Sequence, residues 1–151
     1  MSIALTLHLL AVIVWVGGMF FTHMVLRRAL SAVLEPQQRL PLLLKVFDGF
    51  FPWVWLSVIL ILASGYWMLF VIYSRETPLW LHFMSLAGTL MAAIFVFVYA
   101  FPYHRLAAAL RSRDTPGAVA AVSLIRRLIA TNLSLGLLVT LVAVLGKYGL
   151  F

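Results

Sequence analysis

The chain has 151 residues, of which 65% are hydrophobic and 10% are charged, and its mean hydropathy is +1.11. A soluble domain is apolar over roughly half of its residues, so this composition excludes an ordinary soluble protein. The formal net charge of +7 is concentrated between the apolar runs, which indicates membrane topology rather than nucleic-acid binding.

Four long apolar runs follow one another, each long enough to cross the roughly 30 Å hydrocarbon core of a bilayer. They predict an all-α fold, an integral membrane four-helix bundle forming a single domain over residues 1–151, with helices at about 3–30, 49–74, 78–104 and 117–147. Lys and Arg cluster in the first and third connections. The positive-inside rule therefore predicts a multi-pass protein of the bacterial inner membrane, with the long connections cytoplasmic and both termini outside.

The first run carries His8 and His23 with Trp15 between them, at the three- and four-residue spacing of one helix face. Gly17 and Gly18 lie on other faces, where a neighbouring helix could approach closely. Ionisable side chains inside a bilayer are costly, so the default interpretation of the two histidines is functional.

Helix boundaries are indicated by prolines and capping residues. We expect a break at Glu35–Pro36, followed by an amphipathic surface helix that leads into the second run. Pro52 should kink the second helix near its base or mark its start. Pro78 should lie in the first turn of the third helix, and Asp114 should cap the fourth. Within the fourth run, Asn132 is a buried amide that needs a partner.

Depth relates the histidines of the first run to those of the third. His8 and His82 each lie roughly 8 Å below the outer boundary of their runs, so they are matched in depth. His23 lies roughly 6 Å from the inner boundary, whereas His104 lies at the interface itself, so this second pair is less well matched.

Two imidazoles at one depth can supply the axial nitrogens of a b-type haem. We predict one haem b between His8 and His82, and a second on His23 and His104 as a further hypothesis. Ser85 or Thr22 is expected to accept a hydrogen bond from the second ring nitrogen. Basic residues near the boundaries, among them Arg75, should meet the propionates. The candidate cofactor-binding residues are His8, His82, His23, His104, Trp15, Arg127 and Lys147, of which the four histidines are the candidate metal ligands.

The function predicted from this constellation is electron transfer to or from a quinone or a small oxidant by a membrane-embedded haem b protein. Whether the protein is an enzyme is left open; with haem it would be a haem-dependent membrane oxidoreductase. The first alternative is copper transport or resistance, because the chain lacks cysteine and Met19, His23 and Met24 offer thioether and imidazole ligands for Cu(I). The second is a cofactor-free structural subunit of a respiratory complex. The expected partners are the lipid bilayer, a quinone, and a redox partner protein or a second copy.

Three stretches of the chain resemble the CopD-type copper-resistance membrane domain, and more distantly HemJ, the small membrane protoporphyrinogen oxidase. These are LHLLAVIVWVGGMFF in the first run, WLH opening the third, and the closing IRRLIATNLSLGLLVTLVAVLGKYG. The resemblance implies a four-helix membrane bundle, and similarity to HemJ implies haem b ligation by His8. HemJ-like proteins carry a lysine two residues after the position of His82. This chain has Met84 there, which favours the CopD-like branch, whose name implies copper handling.

Overall fold

The computed structural model describes residues 2–73 and 77–148, which fold as four long helical rods. The first rod contains an α-helix (Ser2–Phe20), a π-helical segment (Phe21–Leu26) and an α-helix (Arg27–Val33). The second is one α-helix, Pro36–Val71. The third contains an α-helix (Leu79–Val98), a π-helical segment (Tyr99–Tyr103) and an α-helix (His104–Arg111), and the fourth is the α-helix Thr115–Lys147. We refer to these rods as spans 1 to 4.

All four spans are long and apolar enough to cross a membrane. Large apolar side chains cover their outer faces, such as Phe70, which is 69% exposed, and Leu86, which is 72% exposed. Lipid accommodates such a surface, whereas water would favour its burial. The described residues contain no strand, and the prediction of an all-α, four-helix membrane protein is confirmed. The sidedness of the termini stays a prediction.

Neighbouring spans in the chain are also neighbours in space. Span 1 packs most extensively on span 2, and span 3 on span 4; spans 2 and 3, and spans 1 and 4, close the bundle. Gly136 of span 4 lies where Val16 of span 1 and Met91 of span 3 meet, so that a Cβ there would lie 3.0 Å from Val16 Cγ2 and 3.2 Å from Met91 Cε. Absence of a side chain at Gly136 therefore sets how closely three of the spans approach.

An aromatic cluster joins spans 2 and 3 at the end of the bundle nearer the arginine-rich connections. Its rings lie 5.0 to 6.4 Å apart between centroids, in mostly edge-to-face arrangements. The members are Phe51, Trp55, Phe95, Tyr99 and Tyr103. The hydroxyl of Tyr103 also donates a hydrogen bond of 2.6 Å to Asp48, which ties the two spans together by a polar contact.

The expected boundaries are found at two turns. Leu34 and Glu35 are extended, and Pro36 begins span 2, so the predicted break is confirmed. Asp114 accepts a hydrogen bond of 3.0 Å from the Gly117 backbone N–H and caps span 4 as expected. Pro78 is the residue immediately before the first helical residue of span 3.

Span 2 differs from the prediction at its start. The helix runs without interruption from Pro36 to Val71, so the segment expected to lie separately on the membrane surface is continuous with the crossing, and Pro52 lies inside the helix rather than at its start. The end expected at residue 74 lies outside the described residues. Neither π-helical segment was predicted. The second contains Pro102, whose missing N–H removes one helical hydrogen bond and favours a locally wider turn.

Candidate metal-ligating site

His8 of span 1 lies against span 2. Its Nδ1 is 2.9 Å from the hydroxyl oxygen of Ser64, and the side chain is half-buried. Gly65 lies beside the ring, and a Cβ at that position would be in van der Waals contact with it, 3.4 Å from His8 Cε1. The first histidine is therefore held by the hairpin of spans 1 and 2.

The hydrogen-bond partners of His8 orient its ring. The ring also forms a hydrogen bond with the backbone of Ile61, and the Ser64 hydroxyl lies within hydrogen-bond distance of the Leu60 carbonyl, one turn earlier in the same helix. When that hydroxyl donates to Leu60, its oxygen accepts from His8 Nδ1, and Nε2 is the ring nitrogen that carries a lone pair. An imidazole that donates one nitrogen to a fixed acceptor and offers the other is the arrangement found at metal-ligating histidines.

Met68 brings a soft donor to the same region. It lies four residues after Ser64 and three after Gly65, and therefore on the same face of span 2, and it is half-buried. Sequence reasoning missed both Ser64 and Met68. A signal was present, because the small residues 63–65 permit close helix contact and the two spans are consecutive.

His82 occupies a different environment. It lies on span 3 and is exposed, with no hydrogen-bond partner in the part of the chain that the structure describes. Ser85, expected to accept from its ring, instead donates to the Leu81 carbonyl at 2.9 Å. Spans 1 and 3 contact each other through Trp15 and Phe95, whose ring centroids are 6.3 Å apart, but His8 points to span 2. His8 is thus hydrogen-bonded to span 2, and its joint ligation of a metal with His82 stays a prediction.

The inner histidines, His23 and His104, have different surroundings, and their joint ligation of a metal also stays a prediction. His23 is half-buried and lines two cavities beside the π-helical segment of span 1. His104 is exposed on span 3, where its ring lies 5.2 Å from those of both Tyr99 and Tyr103. Thr22 donates to the Gly18 carbonyl at 2.8 Å rather than binding a histidine.

The remaining candidate residues have packing or surface positions. Trp15 is 3% exposed and belongs to the apolar core. Arg127 and Lys147 are exposed on span 4, and Arg75 lies outside the described residues. Asn132 is buried, and its amide nitrogen donates to the Met91 carbonyl at 3.1 Å, which confirms the expected polar link between spans.

No group of three or more His, Asp or Glu side chains that could hold a metal occurs within residues 2–73 and 77–148. A site for a hard divalent ion built from carboxylates is therefore not present in this part of the molecule. Imidazole and thioether groups are donors that instead suit a soft ion.

The helices and this histidine together define a multi-pass membrane protein whose first hairpin holds an oriented imidazole. The family model for Copper resistance protein D (CopD) matches residues 44–145, which is more than half of the chain. The chain therefore belongs to the CopD copper-resistance family. No curated protein and no solved structure matches it. The matched range includes Ser64 and Met68, whereas His8 precedes it.

Proposed function

We propose that this protein handles copper at the end of the bundle away from its arginine-rich connections, and that His8 is a ligand for Cu(I). The hydrogen bond between His8 and Ser64 carries the proposal, because a ring that donates Nδ1–H to a fixed partner presents Nε2 to a metal. Membership of the copper resistance protein D family supports copper as the ion.

The proposed second ligand is the thioether of Met68. It shares a helix face with Ser64, one turn along span 2, and it is half-buried as a ligand needs to be. Thioether and imidazole donors select Cu(I) over harder ions. Copper is the cargo of such a site rather than a resident cofactor.

We further propose that the protein lies in the bacterial inner membrane with its long connections cytoplasmic. The basic residues of those connections support this orientation through the positive-inside rule. His8 then faces the outside, where copper would arrive.

Haem b with His8 and His82 as axial ligands has less support, because His8 donates to span 2 and His82 is exposed on span 3. Electron exchange with a quinone depends on that pairing. The two functions differ in one respect that is simple to measure: haem ligation requires both histidines, whereas the copper site requires His8 and not His82.

The experiment is a Cu(I) titration of the purified protein in detergent against a chromophoric chelator of known affinity. We expect His8→Ala to lower Cu(I) affinity on the order of 100-fold or more, because removing a ligand costs more than removing its hydrogen-bond partner. Met68→Leu should lower the affinity as well. His82→Ala and Met84→Leu are the matched controls on span 3, where Met84 is also half-buried, and both should leave the affinity unchanged.

Copper binding that survives His8→Ala would remove the proposed ligand. An optical spectrum with a low-spin b-type haem band that is lost equally in His8→Ala and His82→Ala would replace copper handling by haem-dependent electron transfer.

A further inference from the structure

Two adjoining cavities lie beside the π-helical segment of span 1, with volumes of about 340 and 280 Å³. Both are lined by His23, Arg27 and Ser31. The second extends between spans 1, 2 and 4, at the end of the bundle opposite to His8. We call the two together the basic cavity.

Arginines give the basic cavity its charge. Arg28 lines its first part, Arg39 and Arg126 line its second part, and Arg27 lines both, while no Asp or Glu is among the described residues that line it. Arg126 is close enough to Arg27 for their charges to repel. Two guanidinium groups held together without a carboxylate favour binding of an anion between them.

No carboxylate of the described residues is paired with these two arginines. Asp48 accepts the hydroxyl of Tyr103, and Asp114 caps span 4 at Gly117. Neither Arg27 nor Arg126 forms an ion pair within residues 2–73 and 77–148. Within the described part of the chain, these two guanidinium groups therefore have no carboxylate partner.

Arg39 is held in place by the backbone. Its Nε donates to the Leu34 carbonyl at 2.8 Å and its Nη2 to the Ser31 carbonyl at 3.1 Å. These hydrogen bonds satisfy backbone carbonyls at the end of span 1 and fix the guanidinium group of Arg39 at the cavity wall, beside Arg27 and Arg126. The positive charge is thus partly preorganised.

The second part of the cavity is amphipathic. Beyond the arginines its wall is apolar, formed by Leu30, Leu43, Phe47, Val122 and Ile129. A free inorganic anion gains nothing from such a wall, whereas an acyl chain does. Basic pockets between membrane helices on the cytoplasmic side are suited to phospholipid headgroups.

We propose that the basic cavity binds the phosphate group of an anionic phospholipid, with Arg27 and Arg126 on the phosphate and an acyl chain along the apolar wall. The bound lipid neutralises the repulsion between the two arginines and bridges spans 1 and 4. This site is independent of the copper site at His8.

Native mass spectrometry of the purified protein in detergent tests the proposal, with added phosphatidylglycerol, phosphatidylcholine or inorganic phosphate. We expect phosphatidylglycerol to bind at least tenfold more tightly than phosphatidylcholine and to persist in the presence of inorganic phosphate. The double variant Arg27→Gln/Arg126→Gln should lose about 30-fold in affinity, since each arginine near an anionic lipid contributes about fivefold. Arg127→Gln, which removes the exposed neighbouring arginine outside the cavity, should have no effect.

Arg126→Lys retains the charge and keeps the test valid if the double variant does not fold; it should retain the preference for phosphatidylglycerol. Equal affinity for the two lipids would overturn the proposal. Displacement of the lipid by inorganic phosphate would identify a free-anion site instead. An equal loss in Arg127→Gln would reduce the effect to general surface charge.

Discussion

Ser64→Ala is the most direct test of how the fold prepares His8. The substitution removes one hydroxyl and leaves the helix and the imidazole in place. His8 then loses the acceptor for Nδ1–H that lies 2.9 Å away, and the preference for the tautomer with a free Nε2 disappears.

The expected magnitudes follow from the two roles of this hydrogen bond. Losing a partly buried hydrogen bond should lower the free energy of unfolding by about 0.5–1.5 kcal/mol. Losing the partner that orients a metal-ligating histidine should lower Cu(I) affinity by roughly 10- to 100-fold. The second effect corresponds to about 1.4–2.7 kcal/mol of binding free energy and is therefore separable from a small loss of stability.

The assay is the chelator competition for Cu(I), run beside thermal unfolding in the same detergent. Ser64→Thr should retain the affinity, because threonine hydroxyls of this chain, such as that of Thr140, make the same bond to a preceding carbonyl. Ser85→Ala is the control, since Ser85 also donates to a carbonyl one turn earlier but binds no imidazole in the described structure. If Ser64→Ala and Ser85→Ala leave Cu(I) affinity equally unchanged while His8→Ala abolishes it, the inference that Ser64 orients His8 is wrong.

Two further predictions concern packing between spans. Gly146→Ala would place a Cβ 2.5 Å from Trp80 Cγ and 2.9 Å from Trp80 Cβ, so spans 3 and 4 must separate locally. We expect this substitution to lower the free energy of unfolding by about 1–3 kcal/mol. The control is Gly88→Ala, whose Cβ would meet nothing within 4 Å and which should be neutral or stabilising. Tyr103→Phe removes the 2.6 Å hydrogen bond to Asp48 and should lower the thermal midpoint of unfolding. The expected loss in unfolding free energy is about 1 kcal/mol, because the Tyr103 hydroxyl is partly solvated. Unchanged melting of Gly146→Ala would contradict the close packing of these spans.

The architecture was predictable because its signals are long and redundant. Each apolar run exceeds the length that a bilayer requires, and Pro36 and Asp114 mark helix starts through local chemistry that needs no tertiary information. The continuity of span 2 was not predictable in the same way. Proline disfavours a helix interior in general, yet Pro41 and Pro52 are both contained within it, since surrounding helices can compensate for the lost backbone bonds.

The candidate site was predicted only in part. Depth along a helix identified His8, but depth does not determine which neighbour an imidazole faces. That depends on helix rotation, and here the ring of His8 faces Ser64 of span 2. The pairing with His82 rests on depth alone and stays a prediction. Ser64 was overlooked because the small residues 63–65 indicate a face for close helix contact but do not show which side chain of a neighbouring helix meets that face.

The two proposed sites lie at opposite ends of span 1 and require opposite chemistry. His8 and Arg27 are separated by about 28 Å along a helix, close to the thickness of the hydrocarbon core, so one lies near each face of the membrane. The proposed copper site would accept a soft cation at one face, whereas the clustered guanidinium groups of the basic cavity repel cations and favour an anion at the other. A cation bound at His8 therefore finds no favourable continuation towards the basic cavity. If both proposals hold, this charge distribution favours capture of copper at one face over an open cation channel. Replacing Arg27 and Arg126 by glutamine, which removes both charges, should then leave Cu(I) affinity at His8 unchanged.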